Sequence, residues 1–379
     1  MELICDKRKE KVRLIWILHI QISRCMQLIN NLKNEIVRRL KTILLVFAVL
    51  SLSSCDKSES LDATTKVTDE NYALAETQVI FTDYVNRIAA KTNTNGVGVF
   101  MHVKEPLDPA DRTIMRVNFD TQYSYVVLDL TEDAVLNMPE TNGRYQSAWF
   151  ITEEHYNPMA ITEPGEYTIS QEQTGSKYVM ILVRTQVNMK DAADIAIVSK
   201  LQDQLKLSQN DRGTYTASFR WDMNEILAMR KKYQELAVAK GITSEMMFGK
   251  KGEVSLENHN CGTACGWGGL TKEQAVYPNY LPENTHPATL TLIDVPVDAF
   301  WSVTIYDQDG FPQGDIYNIN SAFAKANNDG AVIIHFGGDE NADNYMDIFE
   351  GWNFTLRLYL PTEEYFNGTW TKPELIPVD

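Results

Sequence analysis

Basic side chains are scarce in this chain. Lys and Arg number 35 against 51 Asp and Glu in 379 residues, a formal charge of −16. Recognition of a phosphate backbone needs a basic face, so a nucleic-acid partner is excluded. A long hydrophobic run is also missing. The apolar stretch from Ile43 to Leu50 falls far short of the ~20 residues of a spanning helix. No serine sits in a G-x-S-x-G elbow. The glycines around Trp267 are not followed by Lys-Ser/Thr, so they form no phosphate loop. Asp307-Gln-Asp309-Gly310 lacks the Glu of a calcium loop at the twelfth position, where Asn318 stands, and reads as a hairpin turn. Nothing specifies a nucleotide, flavin or haem, and no cofactor is expected. What remains is ordinary globular composition, 44% apolar and 23% charged. It excludes disorder, collagen and a polytopic membrane protein, at a length that suits two or three domains.

The scarce basic groups are unevenly placed. Ten of them lie in residues 1–54, with only four acidic ones. Arg38, Arg39 and Lys41 precede the apolar run, and Leu52-Ser-Ser-Cys55 closes it. A charged region, a short apolar region and small residues before a break are the layout of an export signal. Leu-Ser-Ser-Cys resembles a bacterial lipobox, which makes Cys55 the lipid-attachment residue; a plain signal peptide is the alternative. Met26 would serve as a start, which makes 1–25 a mis-called extension. Without residues 1–54 the chain keeps 25 basic and 47 acidic groups, a net −22. Contact with a bilayer is then expected through lipid on Cys55 and not through charge, in the bacterial cell envelope.

Residues 55–70 are polar and read as a tether. Leu74, Ile80, Tyr84 and Ile88 predict a helix over 71–90. Period-two runs follow at 125–130, 134–138, 147–151, 167–170 and 178–185, separated by turn signals such as Pro164-Gly165. Helical spacing returns over 191–207 and 222–240, with Asp222 as N-cap and Gly241 as stop. Alternation resumes over 289–295, 301–306, 332–336 and 354–358. The expected architecture is mainly β with a helical connector, in two jelly-roll or β-sandwich-like domains. Its parts are an N-terminal domain with leading helix at 71–188, a connector at 189–260 and a C-terminal domain at 261–379.

Three stretches resemble one family together. "MRVNFDTQYSYVVLDL", "GRYQSAWFITEEHY" and "GEYTI" are similar to the core of domain of unknown function 1254. "CGTACGWGGL" resembles the link to its companion. "LTLIDVPVDAFWSVTIYDQDGF" with "GWNFTLRLYLPTEEYFNGTW" resembles that companion, domain of unknown function 1214. The resemblance implies two jelly-roll-like β subdomains joined by helices. It also implies an Arg before Asp120, where this chain has Phe119.

Several residues are of types that carry chemistry. Asn118, Asp120 and Tyr123 sit before and at the start of a strand, either as a polar cluster that binds a ligand or as turn residues satisfying backbone groups. Arg184 ends an apolar strand, where a buried charge needs a partner. Asp120 with Arg144 or Arg184 is the expected pairing, as an anion site or as a structural salt bridge. His155 is the best general acid or base, with Tyr123 beside it as the second catalytic candidate; a hydrogen-bonded structural His is the other reading. Tyr145, Trp267 and Trp301 complete the candidate ligand contacts. Cys261 and Cys265, with His259 and His286, invite zinc, but C-x-x-x-C with distant single His residues fits no standard site. A disulfide between the two is expected in an exported chain.

Three function classes follow. The first is small-molecule binding or processing in a polar cavity of the N-terminal domain. The second is a non-catalytic module for glycan or protein. The third is a structural lipoprotein. Convergence of Asn118, Asp120, Tyr123, Arg144, His155 and Arg184 on one site would favour the first.

Overall fold

Helix α1 (Tyr72–Thr92) leads the described chain, but its buried stripe is not the one the spacing marks. Ala75, Phe81, Val85 and Ile88 are buried, while Leu74, Ile80 and Tyr84 are half-buried at its flank. The computed structural model describes residues 64–112 and 115–378. The export segment, Cys55 and the first part of the tether lie outside the described residues.

The N-terminal domain is a sandwich of two antiparallel sheets. The larger has the order β1-β2-β7-β4-β5, from β1 (Met101–His102), β2 (Thr121–Asp129), β4 (Gln146–Thr152), β5 (Ala160–Ile161) and β7 (Tyr178–Gln186). The smaller has β3 (Ala134–Met138) between β6 (Gly165–Ile169) and β8 (Lys206–Gln209). Val126, Leu128, Phe150, Ile181 and Val183 of one sheet meet Leu136, Met138 and Ile169 of the other. The β8 strand is a departure from the expected helix over 191–207. Helix α2 (Ala192–Gln204) stops at Leu205, which turns to extended backbone, and the next four residues pair with β3. Their alternating exposure is a strand signature. The N-terminal sandwich is therefore completed from within the segment read as connector.

The connector holds α3 (Met223–Lys240) and α4 (Leu256–Gly266). The Asp222 carboxylate accepts from Asn224 N at 2.8 Å, and Gly241 closes α3 at φ 64°. That is the expected cap and stop, because the first N–H groups need an acceptor and the left-handed turn costs Gly least.

The C-terminal domain is a second sandwich. One sheet has the order β10-β16-β12-β13 with β9 also on β16; the other runs β15-β14-β11-β17. Their ranges are β9 (Ala275–Val276), β10 (Asn279–Tyr280), β11 (Ala288–Leu292), β12 (Val297–Tyr306), β13 (Asn318–Asn320), β14 (Val332–Phe336), β15 (Tyr345–Met346), β16 (Asn353–Pro361) and β17 (Ile376–Pro377). Trp301, Val303, Ile305, Phe354, Leu356 and Leu358 pack on Leu290, Ile334 and Phe336.

Alternation sends the other residues of β12 and β16 to the opposite face. Ser302, Thr304, Tyr306, Thr355, Arg357 and Tyr359 belong to it, and in an isolated sandwich it would be wet. Here all six are buried. The cover is the large N-terminal sheet, whose Val127, Trp149, Met180 and Leu182 share a core with Phe300 and Tyr359. Two sheets thus meet with polar residues between them.

Candidate functional site

The polar layer is built from strand register. Tyr123 of β2 and Ser147 of β4 lie opposite Arg184 of β7, one on each side. Thr121 lies opposite Gln186 in the next row, and the Gln186 backbone N–H donates to the Tyr145 carbonyl. All of these side chains take the face turned to the C-terminal domain. Across from them stand Ser302, Thr304, Arg357 and Tyr359.

Asp120 joins the two sides. It is fully buried, and its carboxylate accepts from Ser302 Oγ at 2.6 Å, Asn318 Nδ2 at 3.0 Å and Tyr359 OH at 3.2 Å. The Tyr359 hydroxyl in turn accepts from Asn118 Nδ2 at 2.8 Å. Asn118 also turns the backbone, its Oδ1 accepting from Asp120 N at 2.7 Å. Arg357, buried between two leucines of β16, donates to Thr304 Oγ1 at 2.8 Å and Tyr306 OH at 2.5 Å. Burial works against its charge, but Tyr306, Tyr359 and Asp120 outweigh it and raise its pKa. Asp120 and Arg357 are therefore the compensated charges of the layer.

Arg184 is different. Its Nη2 donates to the Gly268 carbonyl at 3.1 Å, and its guanidinium lies 5.5 Å from the centre of the Tyr123 ring. Its Nη1 is buried with no hydrogen-bond partner among the described residues. Thr121 Oγ1 and Gln186 Nε2 are equally unpartnered, and the Ser147 and Tyr145 hydroxyls have only each other at a distance too long for a regular hydrogen bond. Five orphaned polar atoms on adjacent positions of one sheet face are unusual, since buried polar groups are nearly always satisfied. Half-buried Tyr123, Tyr125, Tyr277 and Asn118 form the wetter margin of the layer. Burial pushes the Tyr277 phenol up to about 12.

Of the expected site residues, Asn118, Asp120, Tyr123, Tyr145 and Arg184 come together here. The expected pairing of Asp120 with Arg144 or Arg184 does not form. Arg144 grips Asp194 of α2 with both guanidinium nitrogens and donates to the Gln186 carbonyl at 2.8 Å. Asp120 instead faces the other domain. Trp301 is in the core of the C-terminal sandwich, on the strand face opposite Ser302. Trp267 packs against Phe81 and Tyr84 of α1 and donates to Thr77 Oγ1 at 3.0 Å.

His155 is also corrected. Its ring is buried, and Nε2 accepts from Gly268 N at 3.0 Å. Thr263 spends its hydroxyl proton on the His259 carbonyl, so His155 Nδ1–H must donate to Thr263 Oγ1, at 2.8 Å. Both nitrogens are occupied and burial holds the pKa well below the usual range. The ring is a neutral clamp on the Gly268 turn, whose carbonyl receives Arg184. It has no nitrogen left for acid–base work.

The expected disulfide is absent. Cys261 and Cys265 are free, one buried and one exposed. Four residues apart on α4, their Cβ atoms are held about 5–6 Å apart, whereas a disulfide needs roughly 3.5–4.5 Å. Burial pushes the Cys261 thiol up to about 11 and raises Cys265, which disfavours the thiolate that metals bind. His259 gives its Nε2 to the Glu154 carbonyl at 2.9 Å. No cluster of His, Cys, Asp and Glu suited to a metal occurs among the described residues. A chain begun after Cys55, unreduced and denatured, should therefore show two thiols from Cys261 and Cys265 by colorimetric titration. Finding none would restore the disulfide.

Arg357, Tyr359, Ser302, Asn318 and Ser147 were not singled out by pattern. Alternation puts Arg357 on the face of β16 opposite Leu356 and Leu358, where a charge is ordinary on a wet face, so no local signal marked it.

Surface cavities among the described residues lie elsewhere. One of about 840 Å³ is lined by Trp149, Asn157, Phe248 and Gln274. One of about 700 Å³ is lined by His102, Glu166 and Arg212. One of about 550 Å³ is lined by Pro296 and Trp370. The inter-sheet layer is the stronger candidate because its orphaned atoms and its buried charge are concentrated on one face.

Residues 97–209 match the family described as "Protein of unknown function (DUF1254)", and residues 281–363 match "Protein of unknown function (DUF1214)". The chain belongs to the proteins that carry these two domains in this order. The crystal structure of the VPA0106 protein from Vibrio parahaemolyticus is similar, with a TM-score of 0.57 at 16% identity, covering 82% of this chain and 100% of its own. A putative uncharacterized protein from Burkholderia cenocepacia gives 0.46 at 12% identity, covering 82% of this chain and 95% of its own. No curated protein matches. At 16% identity the Vibrio structure speaks for the fold alone.

Proposed function

We propose that this chain is an exported, lipid-anchored envelope protein that binds a small molecule between its two β sandwiches. The observation that carries the binding reading is the set of orphaned atoms at Arg184, Ser147, Tyr145, Thr121 and Gln186. Such groups are desolvated at a cost unless something meets them. A ligand that supplies the missing partners recovers that cost as affinity. The site draws on both domains, so ligand also ties the sandwiches together. A structural role alone would favour satisfied partners, as the Asp120 cluster shows a few ångströms away.

Thermal-shift screening of the purified chain tests this reading. At least one small molecule should raise the melting temperature, and Ser147→Ala or Tyr145→Phe should shrink the gain. A screen without a hit, with only bare protein in native mass spectra, would sink it.

The export reading rests on the basic, apolar and small-residue order that ends at Cys55. Among the described residues no helix is long and apolar enough to cross a membrane. Intact mass of the native protein should correspond to a chain starting at Cys55 with acyl groups attached. A mature chain that begins earlier would overturn the anchor.

A further inference from the structure

We infer that the molecule held between the sandwiches is a monoanionic carboxylate with an apolar body, its carboxylate seated on Arg184. This rests on the ligand-site reading above and adds the charge and chemistry of the ligand.

Three ionisable groups of fixed charge are buried in the layer: Arg184, Arg357 and Asp120. Asp120 and Arg357 act on each other. Burial works against Arg184 too; the phenols of Tyr123, Tyr277 and Tyr145 outweigh it and raise its pKa, and no carboxylate is among the groups that act on it. Burial raises the Tyr145 phenol and pushes Tyr277 up to about 12, so neither supplies a negative charge at neutral pH. Arginine cannot escape by losing its proton. An isolated buried guanidinium is among the least tolerable groups in a folded protein. Among the described residues no carboxylate meets Arg184, and a bound anion would supply the opposite charge.

The donors suit a carboxylate. Arg184 Nη1 is free, Ser147 lies directly across the strand pair, and its hydroxyl and that of Tyr145 face each other without a regular hydrogen bond, so both can turn to a ligand. Together they offer one charged and two neutral donors to two oxygens, the pattern of charge-assisted carboxylate recognition. A phosphate monoester carries close to two charges at neutral pH, which would leave the layer negative. The surroundings are apolar. Tyr145, Phe300 and Tyr359 form one aromatic cluster with centroids 4.2–5.6 Å apart. Tyr123, Tyr125 and Tyr84 form another at 4.9–5.7 Å. Rings with hydroxyl edges accept a flat or aliphatic body and keep water from the ion pair.

The test uses the purified full chain and three probes of one shape: benzoate, benzamide and benzylamine. Calorimetric titration and thermal shift should show binding of benzoate with little or none of the other two. Arg184→Met should weaken benzoate about tenfold or more while melting no lower than the parent, because it removes an unpaired charge. Should that variant fail to fold, Ser147→Ala serves instead, weakening benzoate severalfold at an unchanged melting temperature. Benzamide binding as tightly as benzoate, or benzoate indifferent to both variants, overturns the carboxylate assignment. The broader site reading survives the first of these results if Ser147→Ala still weakens the amide. If no probe of any charge binds, the site reading falls with it.

Discussion

Asp120→Ala should destabilise the protein by about 3–5 kcal/mol, because each buried donor left without its acceptor costs about 1–3 kcal/mol. The carboxylate is fully buried and accepts three hydrogen bonds from Ser302, Asn318 and Tyr359. It is also the carboxylate that acts on Arg357. Its loss leaves a guanidinium unbalanced and three donors without an acceptor. Urea unfolding of both proteins measures the difference. A loss under about 1 kcal/mol would mean the layer is wetter than its burial indicates. If charge compensation is the reason, Asp120→Ala combined with Arg357→Leu should be less destabilised than the two single effects added together. Additive losses would instead assign the cost to hydrogen bonding and packing.

The second large effect concerns His155. His155→Ala should cost about 3–5 kcal/mol. It opens a cavity beside Phe248 and Trp267 and strands Gly268 N–H and the Thr263 hydroxyl. A catalytic His would have given the opposite result, lost turnover at an unchanged melting temperature. Stability should depend on pH through the same ring. Burial lowers the folded pKa of His155, and also that of His259 and His102. The unfolded chain then binds more protons below its own His value near 6.5, so stability is lost as pH falls through that value. His155, the ring held furthest below that value, contributes a slope of up to about 1.4 kcal/mol per pH unit. His155→Ala should flatten the acid limb by one such increment; an unchanged limb would mean the ring is protonated in the folded state.

The two effects meet at one residue. His155 takes the N–H of Gly268, and Arg184 takes its carbonyl. Loss of the imidazole should therefore loosen Arg184 as well, with weaker benzoate binding in whatever fraction stays folded.

Much of the fold is local and was legible. Ala134–Met138 is a strand at the bounds its alternation sets. Asp222 and Gly241 bracket α3 because capping chemistry acts within a few residues. The disulfide expectation failed for a local reason that spacing alone conceals. Four residues mean one thing in a loop and another on a helix, where the spacing fixes the Cβ separation.

The site was half legible. A charge at the end of an apolar strand marks Arg184 without any knowledge of its neighbours. Its expected partner was wrong because pairing is a property of packing. Arg144 reaches Asp194 on α2, and Asp120 is claimed by Ser302, Asn318 and Tyr359 from 182, 198 and 239 positions away. By itself the sequence determined the elements, their caps, the two β blocks and the acidic surface, all set by periodicity, turn chemistry and composition. Only the tertiary structure decided which strand face is dry. That depends on one sheet lying across another, and it turned a would-be solvated row of β12 and β16 into a buried polar layer with one cation, Arg184, that no described carboxylate meets.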